Sequence, residues 1–360
     1  MATLGIDAFV DHATLYPREK VPMSRSAKDI SFATFNLYNL QLPGVSWYKN
    51  IYSQKQYDQK VQWSASMLQR LDADVIAFQE LWSKRCLEDV FQAAGMAQDY
   101  TLYFIGESWR NMAVAMAVRK PWAARETQFH KAFPADVRLT KAKSEDGEDD
   151  ELNVNIDRFS RTVLQLSIQH ENDNRLPAIQ VFAAHLKSKQ PTIVQAQSEA
   201  LKPHTLAIGA AISTIRRTAE AAALRVLLTK QMKHTDDPVV VLGDLNDGPL
   251  SNTLSIISQQ PPFRMYQASR VGRQNDVGLY TVSLMKQMRA ARDVVFSHEF
   301  NGIQEVIDHV LVSEQFYDHS KQRIWSFKDL SVWNDHVMDD VKYTSDHGVV
   351  CAYFLYDPNP

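Results

Sequence analysis

The chain has 360 residues, of which 45% are hydrophobic and 22% are charged, and its formal net charge is −3. These values are typical of a soluble globular protein that buries a sizeable core. They exclude a protein coated in positive charge for non-specific nucleic-acid binding, although not one with a local basic cleft. Cys86 and Cys351 lie in apolar surroundings, which favours two buried thiols over a disulfide, and nothing implies a thiolate metal site.

The sequence carries no visible targeting signal. Its first twenty residues lack a basic start and a long apolar run, and no stretch approaches the length of a membrane span. We therefore expect a cytoplasmic protein without membrane contact, and secretion after removal of an unseen leader stays open. No protein partner is predicted.

Apolar runs of strand type recur along the chain, with helical patterns between them. In chain order the runs are SFATF (Ser31–Phe35), VIAFQ (Val75–Gln79), MAVAMAV (Met112–Val118), VLQLSI (Val163–Ile168), VFAA (Val181–Ala184), VVVLG (Val239–Gly243), VIDHVLV (Val306–Val312) and GVVCAYFLY (Gly348–Tyr356). The spacing of apolar residues predicts helices over Tyr57–Leu71 and over the long stretch Thr192–Met232. Strands interspersed with helices indicate a layered α/β protein with buried sheets. No linker divides the chain, so we expect a single domain over residues 1–360.

Several of these strands end in a residue that can bind a metal or move a proton. The residues are Asn36, Glu80, His185, Asp244, Asp308, Asp346 and His347. Taken alone, each is more often a capping or surface group. Because strand ends on one side of a sheet cluster in space, the whole set predicts a functional site there.

The stretch Asp244–Asp247 has a spacing that matters for this site. In an extended chain, residues two apart share a face, so Asp244 and Asn246 can address one target while Asp247 points elsewhere. Gly243 permits a close backbone approach. The alternative is an Asx-rich turn between strand and helix, which these residue types also favour, and this stretch alone does not decide between the two.

The ligand types indicate which ion the site would hold. Glu80, Asp346 and Asn36 offer hard oxygen atoms, and the nearby nitrogens are those of His185 and His347. Oxygen ligands of this kind suit Mg²⁺, with Mn²⁺ as a substitute, rather than zinc.

Six blocks, in this order, resemble the endonuclease/exonuclease/phosphatase superfamily that includes deoxyribonuclease I. They are TFNLYN (Thr34–Asn39), DVIAFQEL (Asp74–Leu81), AAHLKSK (Ala183–Lys189), GDLND (Gly243–Asp247), IDHVLVS (Ile307–Ser313) and SDHGVV (Ser345–Val350). The resemblance implies a four-layer α/β/β/α sandwich of two packed, mostly antiparallel or mixed sheets, with a core over residues 31–356 and a helical insertion over residues 190–215. It also implies Mg²⁺-dependent phosphoester hydrolysis.

The resemblance assigns a metal site to three residues. Asn36 and Glu80 look like metal-site residues, and Asp346 looks like a further ligand.

The other matched positions look like catalytic residues. Asp244 resembles the residue that orients or deprotonates the attacking water, and Asn246 resembles its partner. His185 looks like a hydrogen-bond donor to the phosphate. His347 looks like the essential histidine, and Asp308 would orient it.

Local features favour a nuclease, with DNA as the first expectation and RNA as an open one. HLKSK and the later RRTAEAAALR (Arg216–Arg225) resemble bacterial nucleases of this superfamily. We expect Arg161, Lys187 and Asn111 to contact substrate phosphate. The same role is open to four further basic residues: Arg110, Arg119, Arg158 and Lys189. The acidic run Lys143–Glu151 is expected to be a solvated loop.

Two other functions stay open. A phosphomonoesterase, or a phosphodiesterase acting on lipids or small molecules, would use the same chemistry on another substrate. A catalytically inactive binding module is disfavoured, because each matched catalytic position carries the expected residue type.

Overall fold

The computed structural model describes residues 26–105, 112–141, 152–196, 198–263, 277–289, 295–339 and 343–359. The strands are β1 (Ile30–Leu40), β2 (Ser46–Trp47), β3 (Asn50–Ile51), β4 (Val75–Leu81), β5 (Tyr100–Phe104), β6 (Ala113–Arg119), β7 (Trp122–Ala132), β8 (Leu139–Lys141), β9 (Leu152–Val154), β10 (Arg158–His170), β11 (Ile179–His185), β12 (Val239–Asp244), β13 (Tyr280–Thr281), β14 (His298–Phe300), β15 (Ile303–Glu305), β16 (Asp308–Val312), β17 (Trp325–Trp333) and β18 (Val349–Tyr356). The helices are α1 (Gln54–Leu71), α2 (Lys84–Ala93), α3 (Thr205–Met232), α4 (Asn252–Ser258) and α5 (Val282–Arg289).

Two six-stranded sheets form the centre of the molecule. Sheet one has the order β17-β18-β1-β4-β6-β5, and sheet two has the order β13-β16-β12-β11-β10-β7. Each contains one parallel pair, β1 with β4 in sheet one and β11 with β12 in sheet two, and the remaining neighbours are antiparallel. Both sheets are therefore mixed and mostly antiparallel, as the resemblance implied.

Alternation along the strands explains the layering, because successive side chains point to opposite faces of a sheet. Phe32 of β1 and Leu242 of β12 belong to the core between the two sheets. On the opposite faces of the same strands, Phe35 of β1 packs outwards against α1 and α2, and Val241 of β12 packs outwards against α3 and α4. The result is the predicted α/β/β/α sandwich, with three apolar layers of which the central one joins the sheets.

Helix boundaries follow local capping chemistry. Ser53 caps α1 in a capping box with Gln56, and Asp72 ends the helix in the left-handed conformation. Ser251 caps α4, since its hydroxyl accepts a hydrogen bond from Leu254 N. These caps set where α1 and α4 begin relative to the strands that precede or follow them.

The helix predicted over Thr192–Met232 begins later than expected. The α-helix starts at Thr205, after a short 3-10 helix over Glu199–His204 that contains Pro203. Thr192 lies outside it, and its carbonyl oxygen occupies the position that a Cβ on Gly209 would need. A proline has no N–H for a helical hydrogen bond and restricts the residue before it, so an apolar pattern alone overestimated the helix.

The structure also bears on the predictions about the cysteines, the acidic run and membrane spans. Cys86 and Cys351 are buried free thiols, as predicted. The acidic run Lys143–Glu151 and the candidate Asn111 lie outside the described residues. Among the described residues, none of the helices combines the length and the apolar character that crossing a bilayer requires.

Candidate active site

Three predicted residues form a row across neighbouring strands of sheet two. His185 at the end of β11 pairs in register with Asp244 at the end of β12, and Asp244 pairs with Asp308 at the start of β16. Asp244 is two residues beyond Leu242, so its side chain points to the space between the sheets. All three side chains are at least 98% buried, and they meet where the central core ends.

Sheet one brings Asn36 and Glu80 to the same place. The Asn36 side chain points between the sheets and donates from Nδ2 to Asp244 Oδ2 at 3.2 Å. Glu80 has a positive φ of 58°, and the pairing of β4 with β6 changes register between Phe78 and Leu81. This irregularity lets Glu80 reach the inter-sheet side, where its carboxylate lies within 4.8 Å of ligand atoms of His185 and Asp244.

The residues before β18 supply His347 and Asp346. His347 Nδ1 lies 2.9 Å from Asp308 Oδ2, and its Nε2 lies 3.9 Å from Asp244 Oδ2. Ser345 holds this segment in place, because its hydroxyl donates to Asn36 O and accepts from His347 N. The histidine predicted to be essential is thus oriented by the carboxylate predicted for that role.

The pKa values of the two histidines in the site are shifted in opposite directions. Burial lowers the pKa of His347, but the carboxylates of Asp308 and Asp244 outweigh burial and hold that pKa well above its usual value. Burial, reinforced by the charge of Arg161, holds the pKa of His185 well below its usual value. One imidazole is therefore cationic at neutral pH while the other is neutral.

The carboxylates are also perturbed. Burial raises the pKa of Asp244 to about 7; Asp308 and Glu80 add to this rise, and His347 opposes it. Burial likewise raises the pKa of Glu80, against the lowering effect of His347. Both acids are thus held in a site where a cation would favour their charged form.

The donor set fits a hard divalent cation. Asn36, Glu80 and Asp346 present oxygen atoms, which Mg²⁺ prefers. Within the described chain, Asp346 Oδ1 is buried without a hydrogen-bond partner. This oxygen lies 3.9 Å from His347 Nε2, and a metal ion would supply the closer partner that it lacks. The ligand atoms of Glu80, His185 and Asp244 are close enough to share an ion, and those of Asp346 form another such group with His298 and His347.

The GDLND segment leaves the extended conformation at Asn246, which has a φ of 57°, and it forms the Asx turn that the sequence left open as the alternative. Gly243 has a φ of 146°, and a Cβ there would collide with Ala184 O, so only glycine fits between β11 and β12. Asn246 N donates to Asp244 Oδ1, and Asn246 Nδ2 donates to Leu186 O. Asp247 points away and accepts hydrogen bonds from Arg217 and Thr253.

The basic residues weighed for phosphate contact separate into two groups. Arg161 is close to the site, since Nη1 donates to Leu186 O at 3.1 Å and its charge lowers the pKa of His185. Lys187 follows β11, the strand that ends at His185, but its ammonium donates to the carbonyl groups of Ser188 and Gln190. The structure therefore brings Arg161 to the site and turns the charge of Lys187 towards its own loop.

Arg119 and Arg158 take other partners, and Arg110 lies outside the described residues. Arg119 lies at the end of β6, beside the start of β4 and therefore at the opposite end of that strand from Glu80. It pairs with Asp72 and Asp74, so the suggested phosphate role is wrong for this residue. Arg158 pairs with the exposed carboxylate of its neighbour Asp157.

Lys189 remains at the rim of the site. Its ammonium contacts Glu305 at 2.5 Å and Asp247 at 3.4 Å. These ion pairs reduce the free charge that it offers to a substrate.

Two residues around the site were not predicted from the sequence. Lys60 of α1 is fully buried and donates to Thr344 O at 2.8 Å, two residues before Asp346. Its place beside Val61 and three residues after Tyr57, on the apolar face of α1, was a readable signal. His298 lies with its ring centroid 4.9 Å from that of His347, and no local pattern marks it.

Comparisons with known proteins agree with this architecture. Residues 33–347 match the model of the Endonuclease/Exonuclease/phosphatase family. None of the curated proteins matches the chain.

Solved structures of the same fold come from several organisms. A humanised TDP2 of D. rerio with 14 mutations is 13% identical with a TM-score of 0.54, and the match covers 91% of this chain and 99% of that chain. The human nocturnin catalytic domain is 12% identical with a TM-score of 0.52, covering 91% and 95%. A mannosyl-6-phosphatase of Bacteroides thetaiotaomicron is 14% identical with a TM-score of 0.50, covering 91% and 100%. At such identities the likeness shows the fold alone.

Proposed function

Because the chain belongs to the endonuclease/exonuclease/phosphatase family of metal-dependent phosphoesterases, we propose that it hydrolyses phosphodiester bonds in nucleic acid, with DNA as the preferred substrate and Mg²⁺ as the cofactor. The observation that carries the proposal is the environment of the Asp244 carboxylate. It is buried, 3.4 Å from His185 Nε2 and 3.9 Å from His347 Nε2, and it accepts hydrogen bonds from Asn36 and Asn246.

Asp244 is suited to accept the proton of an attacking water. A general base works best when its pKa is near the working pH, and burial raises the pKa of Asp244 to about 7. Asn246 holds one oxygen of this carboxylate through its backbone N–H, and its side chain fixes the segment after His185. The base is therefore fixed in orientation before a substrate arrives.

The two histidines are suited to different tasks at the phosphate. Cationic His347, oriented by Asp308, can donate a hydrogen bond where negative charge develops in the transition state. Neutral His185 can donate one N–H to a phosphate oxygen without adding positive charge near Arg161. Asn36, Glu80 and Asp346 would hold the Mg²⁺, which when bound offsets charge on the phosphoryl oxygens.

Nucleic acid is proposed as the substrate because of the side of the site formed by β10, β11 and α3. Arg161 presents a partly buried guanidinium there, and such a group binds phosphate in a bidentate manner. The HLKSK loop and the Arg216–Arg225 stretch of α3, which resemble bacterial nucleases, lie against this side. We propose Arg161 as the main phosphate contact, with Lys187 and Asn111 as weaker candidates.

The test is the nicking of supercoiled plasmid by purified protein with Mg²⁺, with Mn²⁺ and with a chelator. We expect metal-dependent cleavage by the wild type, and a loss of about 10²–10⁴-fold in Asp244→Asn and in His347→Ala. Asp329→Asn, which alters a surface ion pair with Lys286, is the matched control and should keep full activity.

Other results would assign another function. Full activity in both site variants would remove Asp244 and His347 from the mechanism. Intact plasmid together with turnover of a sugar phosphate or a phospholipid would establish the phosphatase or lipid phosphodiesterase alternative. An absence of turnover on every phosphoester would favour the inactive binding module.

A further inference from the structure

A two-stranded hairpin stands beside the catalytic cluster. β14 and β15 pair so that His298 lies opposite Glu305 and Phe300 lies opposite Ile303. The turn between them is Asn301-Gly302, with φ values of 53° and 79°, the conformation that this dipeptide favours in tight hairpins. The Glu299 side chain accepts a hydrogen bond from Gly302 N. The hairpin is thus a defined element with a fixed register.

One face of the hairpin is directed at the site. Directly opposed residues, and residues two apart in a strand, share a face. At the base of this face the His298 ring lies against His347, and Glu305 binds Lys189 and lies against Gly248, which follows the GDLND segment. Phe300 and Ile303 continue the same face towards the tip.

The tip of this face is apolar and exposed. Phe300 is 68% exposed and Ile303 is 70% exposed, although both lie on the side facing the site. The opposite face carries the polar side chains of Glu299 and Gln304. Exposing two apolar side chains to water on this side does not stabilise the hairpin itself. A ligand that extends out of the site would cover them, and we therefore consider it as their partner.

The distance from His298 to Phe300 along the strand suits a group that lies next to the reacting phosphate. Two residues of extended strand span about 7 Å, so Phe300 lies one step outwards from His298. We propose that Phe300 and Ile303 form a nucleobase subsite, in which Phe300 stacks on an unpaired base next to the scissile phosphate. The inference rests on the proposed function and adds to it a preference for single-stranded or frayed nucleic acid, because a paired base cannot leave its own stack.

The charge of the hairpin favours a base over a membrane surface. Its strands and turn contain Glu299 and Glu305 and no lysine or arginine. An anionic bilayer attracts basic segments and would repel this one. Stacking on Phe300 would involve only the uncharged face of a base, while the phosphate would be contacted elsewhere by Arg161 and the metal ion.

The experiment compares single-stranded oligothymidylate with the same oligomer made of abasic residues, both with Mg²⁺. The variants are Phe300→Ala, Phe300→Trp and the control Phe129→Ala, which removes an aromatic ring that is 52% exposed on β7. We expect Phe300→Ala to lower kcat/KM for oligothymidylate about tenfold, the scale of one lost base stack. Phe300→Trp should restore the rate, and Phe129→Ala should have no effect.

The abasic oligomer identifies the base as the partner. If Phe300 stacks on a base, the difference between wild type and Phe300→Ala disappears on the abasic oligomer, because both substitutions remove the same contact. Equal rates of the two proteins on oligothymidylate, or an equal loss on both oligomers, would overturn the subsite while leaving the nuclease intact.

Further outcomes separate the inference from its premise. A wild type that cleaves neither plasmid nor oligonucleotide overturns the proposed function itself, whereas one that nicks plasmid but leaves oligothymidylate intact overturns the subsite alone. Sedimentation of the wild type, but not of Phe300→Ala, with phosphatidylcholine vesicles would assign this face to a lipid surface and overturn the nucleobase subsite.

Discussion

Lys60 shows how a single residue can support the site without touching the substrate. It is fully buried on α1, donates to Thr344 O at 2.8 Å, and lies 5.3 Å from the centroid of the Tyr38 ring. Burial lowers its pKa to about 7, and the negative charges of Asp346 and Glu80 oppose that change. A buried ammonium here offsets part of the negative charge that the acids bring together.

The lowered pKa of Lys60 predicts how stability depends on pH. Below pH 7 the lysine is charged in both the folded and the unfolded protein, so folding bears the full cost of burying the charge. Between pH 7 and the ordinary lysine value of 10.5, the unfolded protein binds more protons, so this cost falls as pH rises. We expect Lys60→Met to stabilise the metal-free protein by about 1–4 kcal/mol below pH 7, and the gain to fade towards high pH.

Urea unfolding across this pH range measures the effect. The control is Lys55→Met, which removes an exposed charge on the same helix. A stability difference for Lys60→Met that does not change with pH would show that the charge of Lys60 is not its cause.

The sequence could not reveal how Glu80, predicted from its motif, reaches the inter-sheet side, nor that His298 contacts His347, because both depend on a backbone irregularity or on distant chain. Asn36 and Asp244 were readable because they continue the inner face of a regular strand. The alternation of β4 alone would point Glu80 outwards, and only its positive φ and the register shift bring it inwards. His298 reaches His347 through an isolated bridge across 49 positions of the chain, which no local pattern encodes.

Among the secondary-structure elements, α3 links the basic side of the site to the sheet. Glu220 is fully buried on this helix, and Oε1 accepts hydrogen bonds from Ser160 N and Oγ at 2.7 and 2.5 Å. Oε2 accepts from Lys187 N at 2.8 Å. One carboxylate therefore holds the residue before Arg161 and the loop after His185.

Replacing this carboxylate by an amide tests the link. In Glu220→Gln an NH₂ group would face a backbone N–H or the Ser160 hydroxyl, leaving a buried donor without an acceptor. We expect a loss of about 1–3 kcal/mol of stability, and a fall in kcat as Arg161 and His185 lose their fixed positions. Urea unfolding and plasmid nicking measure the two effects.

Glu88→Gln provides the comparison for the same chemical change. Glu88 lies on the exposed side of α2 in an i,i+4 pair with Lys84, where such pairs contribute little. A similar loss in Glu88→Gln and Glu220→Gln would mean that the buried network of α3 has no special role.

The first residue of α3 could not be predicted from the sequence. The apolar spacing correctly identified a long helix over its C-terminal part, which packs Leu224 and Leu228 on sheet two. It could not locate Thr205 as the first helical residue, because the preceding segment is set by Pro203 and by the contact of Thr192 with Gly209. Periodicity detects a buried face, whereas tertiary contacts decide where the helix begins.

At the scale of the whole molecule, the site exists only because two sheets close on each other. Sheet one supplies Asn36 and Glu80, sheet two supplies Asp244 and Asp308, and the segment before β18 supplies Asp346. The sequence predicted this convergence through the order of its motifs, since strand ends gather at one edge of a sandwich. The elevated pKa values of Glu80 and Asp244 are the physical consequence of that convergence.

A cation bound between the sheets should therefore stabilise the entire fold. An ion that binds only the folded state adds about 2.7 kcal/mol of stability when its concentration is 100 times its Kd. For a chain of this size we expect Mg²⁺ to raise the unfolding temperature by about 5 °C or more, as about 1 kcal/mol corresponds to 2–4 °C in large domains. Glu80→Gln should lose most of this shift, because it removes a charged ligand.

Calorimetry with Mg²⁺ and with a chelator makes the comparison, and it needs no substrate. Glu126→Gln, an exposed change on β7, should retain the full shift. In the chelator, Glu80→Gln should unfold at the same temperature as the wild type or above it, since burial already disfavours the charge on Glu80. An equal Mg²⁺ shift in Glu80→Gln and wild type would place the ion elsewhere, and the protein's own positive charges alone would then have to offset the acids gathered between the two sheets.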